Sequence, residues 1–122
     1  MLLSALSVVL LFGNQTHQSP FFRRAMNFNS LNLSPDLQKG IDACGYSAMT
    51  PIQEQAIVPA RRGQDILAIA QTGTGKTAAF AIPILQRLAG HAEQLKPGLP
   101  RALILTPTRE LAEQLALSLI HI

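Results

Sequence analysis

The chain has 122 residues, 48% of them hydrophobic and 14% charged, with a formal net charge of +3. That length suits one small domain and not two, and the apolar content excludes disorder throughout. The basic balance is no argument for nucleic acid, because Arg23 and Arg24 supply two of the three charges and from Asn27 onward eight Lys and Arg meet seven Asp and Glu.

In chain order, Met1 to Phe12 is apolar apart from Ser4 and Ser7. It lacks what a secretory leader needs: no Lys or Arg precedes it and no small-x-small cleavage pattern follows. It is also shorter than the roughly 20 residues of a spanning helix. Ser34 and Pro35 place a capping residue and a first-turn proline at the head of a short helix, which Gly40 or Gly45 can end. Cys44, the only cysteine, reads as a small buried residue near that helix end and leaves no disulfide, metal cluster or redox pair to build. Thr50-Pro51 repeats the start signal for a second helix reaching about Ala60, and Arg61-Arg62-Gly63 makes the turn after it.

Asp65 to Ala70 is an apolar run without alternation, as expected of a parallel strand buried on both faces. A glycine loop over Gln71 to Gly75 and a helix from about Lys76 to Leu88 follow, with Pro83 expected to bend that helix or end its first half. Gly90 to Pro100 is a polar connection, Arg101 to Thr106 a second buried strand, and Thr108 the start of a last helix. Strand, helix, strand implies a parallel pair with a right-handed crossover, and so an α/β fold.

Between that strand and helix lies Ala70-Gln71-Thr72-Gly73-Thr74-Gly75-Lys76-Thr77, a P-loop in the context where one belongs. Glycines let backbone N–H groups turn inward around phosphate oxygens, and the helix N-terminus adds partial positive charge. Lys76 would neutralise the β- and γ-phosphates of ATP, and the Thr77 hydroxyl would coordinate Mg²⁺. These two are the catalytic candidates.

Gly45-Tyr46-Ser47-Ala48-Met49-Thr50-Pro51-Ile52-Gln53 resembles the Q motif of the DEAD-box RNA helicases, with Phe28 standing 17 residues before Gly45 as that family's isolated upstream aromatic does. The proline often found at the position of Met49 is missing, and Ala70 in place of the first P-loop glycine is the form these helicases carry. The resemblance implies that Gln53 reads adenine and Phe28 stacks on it. It further implies that Tyr46 and the loop residues Gln71, Thr72, Gly73, Thr74 and Gly75 join Lys76 and Thr77 around the nucleotide. A glutamine amide matches the N7 acceptor and N6 donor on one adenine edge, and a phenyl face stacks on any base. Two plainer readings stand beside these. Thr50 and Gln53 have the spacing of a reciprocal capping box, and Phe28 can be an ordinary core residue.

Pro107-Thr108-Arg109-Glu110 resembles the family's motif Ia, which implies contact with an RNA backbone. Thr108 can cap the helix and Glu110 suits its positive end, whereas Arg109 is misplaced there unless it meets an anion such as RNA phosphate. The alternative is an Arg109 to Glu113 pair at i,i+4. The resemblance thus implies the first part of a RecA-like P-loop NTPase domain, truncated, from a cytoplasmic RNA-dependent ATPase with ATP and Mg²⁺ as cofactors and RNA as partner. The Asp-Glu-Ala-Asp box, the Ser-Ala-Thr motif and a second RecA-like domain are not in this sequence, so the fragment alone is expected to be inactive.

The two ends look unlike the middle. Met26 opens Met-Asn-Phe-Asn-Ser-Leu, which resembles the natural beginning of bacterial helicases of the RhlE-like branch, so residues 1–25 are expected to be a non-native or disordered extension. Leu117-Ser118-Leu119-Ile120-His121-Ile122 resembles a translated transposon-end adapter, which places the helicase segment at 26–116 and a non-native tail at 117–122; the plainer reading is an ordinary apolar helix end.

Overall fold

The computed structural model describes residues 8–11, 25–71, 73–91 and 98–122. A 3₁₀ turn at Phe28–Leu31 is capped by the Asn27 side chain, which accepts from the Asn29 N–H at 2.9 Å. Helix α1, Pro35–Ala43, starts at Ser34 as expected and buries Leu37 and Ile41, one turn apart on one face. It stops at Cys44, whose N–H returns to the Gly40 carbonyl, and Gly45 at φ +73° turns the chain away. Helix α2, Pro51–Arg61, buries Gln53, Ala56, Ile57 and Ala60, the i, i+3, i+4, i+7 stripe of an amphipathic helix.

Helix α3, Lys76–Ala89, packs along α2 and has six consecutive buried residues, Ala78 to Pro83. Pro83 does not end it. The helix loses one ladder bond there, but the proline ring is itself buried in the packed half. The core joins Phe28, Leu31, Leu37, Ile41, Met49, Ile57, Ala78 and Ile82, with Leu33, Val58, Leu85 and Ile122 packed against it. Complete burial of Ile57 and Ile82 contributes about 1.5–3 kcal/mol each. Helix α4, Arg109–His121, buries none of its own residues, yet Ile122 reaches back over Gly40, where even a Cβ would meet its carbonyl oxygen.

The strands depart from expectation. Strand β2, Ile66–Ile69, pairs in parallel with β1, Val8–Leu11, in the register Val8↔Ile66 to Leu11↔Ile69. The partner therefore comes from the segment that the sequence sets apart as an extension. Residues 101–106 form no strand. Leu103 and Leu105 are 79% and 84% exposed, because no neighbour pairs with this segment among the described residues and no layer covers it. Nor is β2 buried on both faces: Ala68 is buried, while Leu67 and Ile69 are exposed. No helix among the described residues is long and apolar enough to cross a membrane.

Candidate nucleotide site

The phosphate loop follows β2 directly and ends at Gly75, the residue before α3. Gly73 and Gly75 sit at φ +80° and +85°, in the left-handed region where a side chain is strained, which is why this turn needs glycine. The loop is braced from within, since the Thr74 hydroxyl donates to the Gln71 carbonyl at 2.7 Å. The Lys76 ammonium donates to the Ala70 and Gln71 carbonyls at 2.5 and 2.6 Å. Neutral carbonyls are thus among the partners of a cation that a phosphate would take over with charged oxygens, a stronger acceptor set. Thr77 is half-buried in the first turn of α3. Thr72, assigned to the nucleotide by the resemblance, lies outside the described residues.

The first turn of α2 is bonded to this loop. Gln53, only 3% exposed, accepts from the Thr50 N–H through Oε1 at 2.9 Å and donates through Nε2 to the Gly75 carbonyl at 3.1 Å. The Thr50 hydroxyl donates to the Thr74 carbonyl at 2.8 Å. The capping-box reading of Gln53 is therefore realised in part, but the same amide also grips the loop. Sequence spacing gave the cap and missed Thr50 as a loop ligand, because nothing local places Thr74 beside it.

The aromatic pair also comes together, with a difference. The rings of Phe28 and Tyr46 stack with centroids 5.9 Å apart and planes 25° from parallel. Phe28 is 1% exposed and part of the core, whereas Tyr46 is 38% exposed. The ring left at the surface is that of Tyr46, with Phe28 stacked on it from the protein side.

Pro107, Thr108, Arg109 and Glu110 form their own exposed corner at the start of α4. Thr108 caps the helix as expected, accepting from the Leu111 N–H at 3.2 Å, and the Thr106 hydroxyl donates to the Thr108 carbonyl. Lys39 forms an ion pair with Asp36, and among the described residues none joins Arg109 to Glu113. That leaves Arg109 at the positive helix end without the partner that the surface-pair reading needs.

Comparison with known proteins shows the family. The family model for DEAD/DEAH box helicases matches residues 50–122. The ATP-dependent RNA helicase SrmB of Haemophilus influenzae is 53% identical over 89 residues, covering 73% of this chain and 20% of the relative. The ATP-dependent RNA helicase eIF4A of Botryotinia fuckeliana is 46% identical over 89 residues, covering 73% and 21%. The chain thus spans about a fifth of the length of these curated relatives. The crystal structure of a DEAD box protein from Methanococcus jannaschii superimposes with a TM-score of 0.66 at 40% identity, over 79% of this chain and 25% of that one. The partial RecA-like α/β fold follows from that superposition, and with the family model covering more than half of its residues, the chain belongs to the DEAD/DEAH box helicases.

Proposed function

We propose that this chain is the ATP-binding, RNA-gripping first part of an ATP-dependent RNA helicase, with the phosphate loop and the Gln53 helix start acting as one device. The observation that carries the reading is the double use of Gln53: its amide is bonded at once to the head of α2 and to the loop that would hold phosphate. Adenine offers an acceptor at N7 and a donor at N6. Nε2 carries two N–H groups and Oε1 two lone pairs, so the amide has a second donor for N7 and a second acceptor for N6 beside the bonds to the Gly75 carbonyl and the Thr50 N–H. Base recognition and loop grip then meet in one side chain, so a bound adenine would be tied through Gln53 to the loop that holds the phosphates.

Lys76 would exchange the Ala70 and Gln71 carbonyls for phosphate oxygens, and Gly73, Thr74 and Gly75 would line them with backbone N–H groups. The loop's two left-handed glycines at a helix N-terminus fit a triphosphate. Magnesium would find one protein oxygen here, the Thr77 hydroxyl, with phosphate and water supplying the rest of its shell. That ion neutralises charge on the phosphates when bound. Among the described residues no cluster of three or more His, Cys, Asp or Glu adds to it. Arg109 would meet RNA phosphate beside the Pro107, Thr108 and Glu110 turn, which favours backbone contact with weak sequence preference. This chain alone would bind without turning over, because the residues that position attacking water belong to the parts of such helicases it does not contain.

The test is a binding titration of the chain with ATP, GTP and tripolyphosphate. ATP should bind more tightly than GTP, since guanine sets two acceptors against the Gln53 amide and leaves one buried acceptor unpaired, worth roughly ten- to a hundredfold. Equal affinity for ATP and GTP would remove Gln53 from base recognition.

A further inference from the structure

The residue after Gln53 has no role in the site described so far. We propose that Glu54 is a positioning residue for the nucleotide base, acting through Met26 on the Phe28–Tyr46 stack; this rests on the reading of the site as an adenine-nucleotide site. Glu54 lies in the first turn of α2, and its Oε1 accepts from the backbone N–H of Met26, 28 residues earlier in the chain. The Met26 carbonyl accepts from the Met49 N–H at 2.8 Å, and the next residue pairs with Ala48 in an antiparallel bridge. Both backbone groups of Met26 are thereby held, one from the foot of α2 and one from its first turn.

What this clasp fixes is the entry of the chain into the 3₁₀ turn that carries Phe28. Asn27 caps that turn, and Phe28 enters the core with its ring stacked on Tyr46. Tyr46 has little else to orient it. It follows Gly45 at φ +73°, is 38% exposed, and its backbone N–H reaches the Ile41 carbonyl at 3.2 Å. A base that stacks on Tyr46 therefore meets a ring whose tilt is set by Phe28, and Phe28 is set by Met26. Glu54 is the side chain that closes the sequence of contacts, on the same helical turn whose Gln53 would read the base edge.

A carboxylate in a first helical turn has a plainer use, neutralising the helix dipole from solvent. The two roles require different things of residue 54. Dipole neutralisation needs charge and tolerates a shorter arm. The clasp needs an acceptor at the reach of a glutamyl oxygen and tolerates loss of charge. Glu54→Gln and Glu54→Asp therefore separate them.

The experiment measures ATP and tripolyphosphate affinity for the wild-type chain and both variants, with and without Tyr46→Ala. Glu54→Asp should weaken ATP roughly two- to tenfold, the range for loss of one hydrogen bond's positioning, and leave tripolyphosphate affinity unchanged. Glu54→Gln should keep most of the wild-type ATP affinity. Once Tyr46→Ala has removed the ring, Glu54→Asp should cost nothing further. Loss of ATP and tripolyphosphate together, retention by Asp with loss by Gln, or additivity with Tyr46→Ala would each overturn the proposal. A wild-type chain that binds ATP no more tightly than tripolyphosphate would overturn the base-binding reading first, and this proposal with it.

Discussion

Replacing Gln53 by Glu tests how the helix start and the phosphate loop are joined. Glutamate serves well in a capping box, so a glutamine that only caps should tolerate the change within about 0.5 kcal/mol. The structure requires more of the side chain. Oε1 would still accept from the Thr50 N–H, but in place of Nε2 the variant presents a second carboxylate oxygen to the Gly75 carbonyl, at a position 3% exposed. One hydrogen bond is lost, at about 1 kcal/mol, and a buried acceptor is left without a donor, at about 1–3 kcal/mol. The Gly75 carbonyl suffers less, because it also accepts from the Ala79 N–H at 3.2 Å. The sum is about 2–4 kcal/mol, a substantial part of the roughly 5–15 kcal/mol that holds an ordinary domain together. Thermal or urea unfolding of wild type and Gln53→Glu at neutral pH measures it. Acid protonates the introduced carboxyl and restores a donor toward Gly75, so the variant should regain stability relative to wild type as pH falls. A variant as stable as wild type at neutral pH would refute the bond between Gln53 and the loop.

Lys76→Ala should abolish ATP binding by the chain, and the unsubstituted chain should show no RNA-stimulated ATP hydrolysis; turnover that disappears with Lys76→Ala would contradict the second statement. Gly75→Ala forces a side chain onto φ +85° and sets its Cβ 2.4 Å from Gln53 Nε2. It should cost at least about 2 kcal/mol in unfolding experiments, and a neutral result would mean the loop adopts another shape. Leu105→Asp, at a position 84% exposed, should leave unfolding free energy within about 0.5 kcal/mol while reducing aggregation in light scattering. Arg109→Ala should leave stability unchanged and lower the slope of log RNA affinity against log salt by about one; an unchanged slope would remove Arg109 from the RNA contact.

The sequence was most readable where the chemistry is local. Ser34-Pro35, Thr50-Pro51 and Thr108 each start a helix where capping rules put one, and the apolar stripe of α2 falls on the buried face. It was least readable where burial decides. An apolar run such as 101–106 has the composition of an inner strand, but a strand exists only if another pairs with it, and composition does not say whether a partner is at hand. The same holds for β2, whose apolar faces were expected to be covered twice and are covered once. The resemblance assigned Phe28 to the base, with a core role as the plainer reading; the ring does complete the core, while Tyr46 stacked on it stands at the surface.

By itself the sequence determined the phosphate loop, the cap at Thr50 and the helix starts, because glycine freedom, proline geometry and hydroxyl capping act over a few neighbouring residues. Tertiary structure alone decided that Gln53 and Thr50 hold the carbonyls of Gly75 and Thr74, that Glu54 reaches Met26, and that Tyr46 covers Phe28. Those contacts join residues some 18 to 28 positions apart. No local rule fixes such pairings; the Gln53 and Thr50 contacts follow only once α2 and α3 pack together and bring the helix start against the loop, and the other two only once the segment around Met26 and Phe28 folds back on the residues leading into α2.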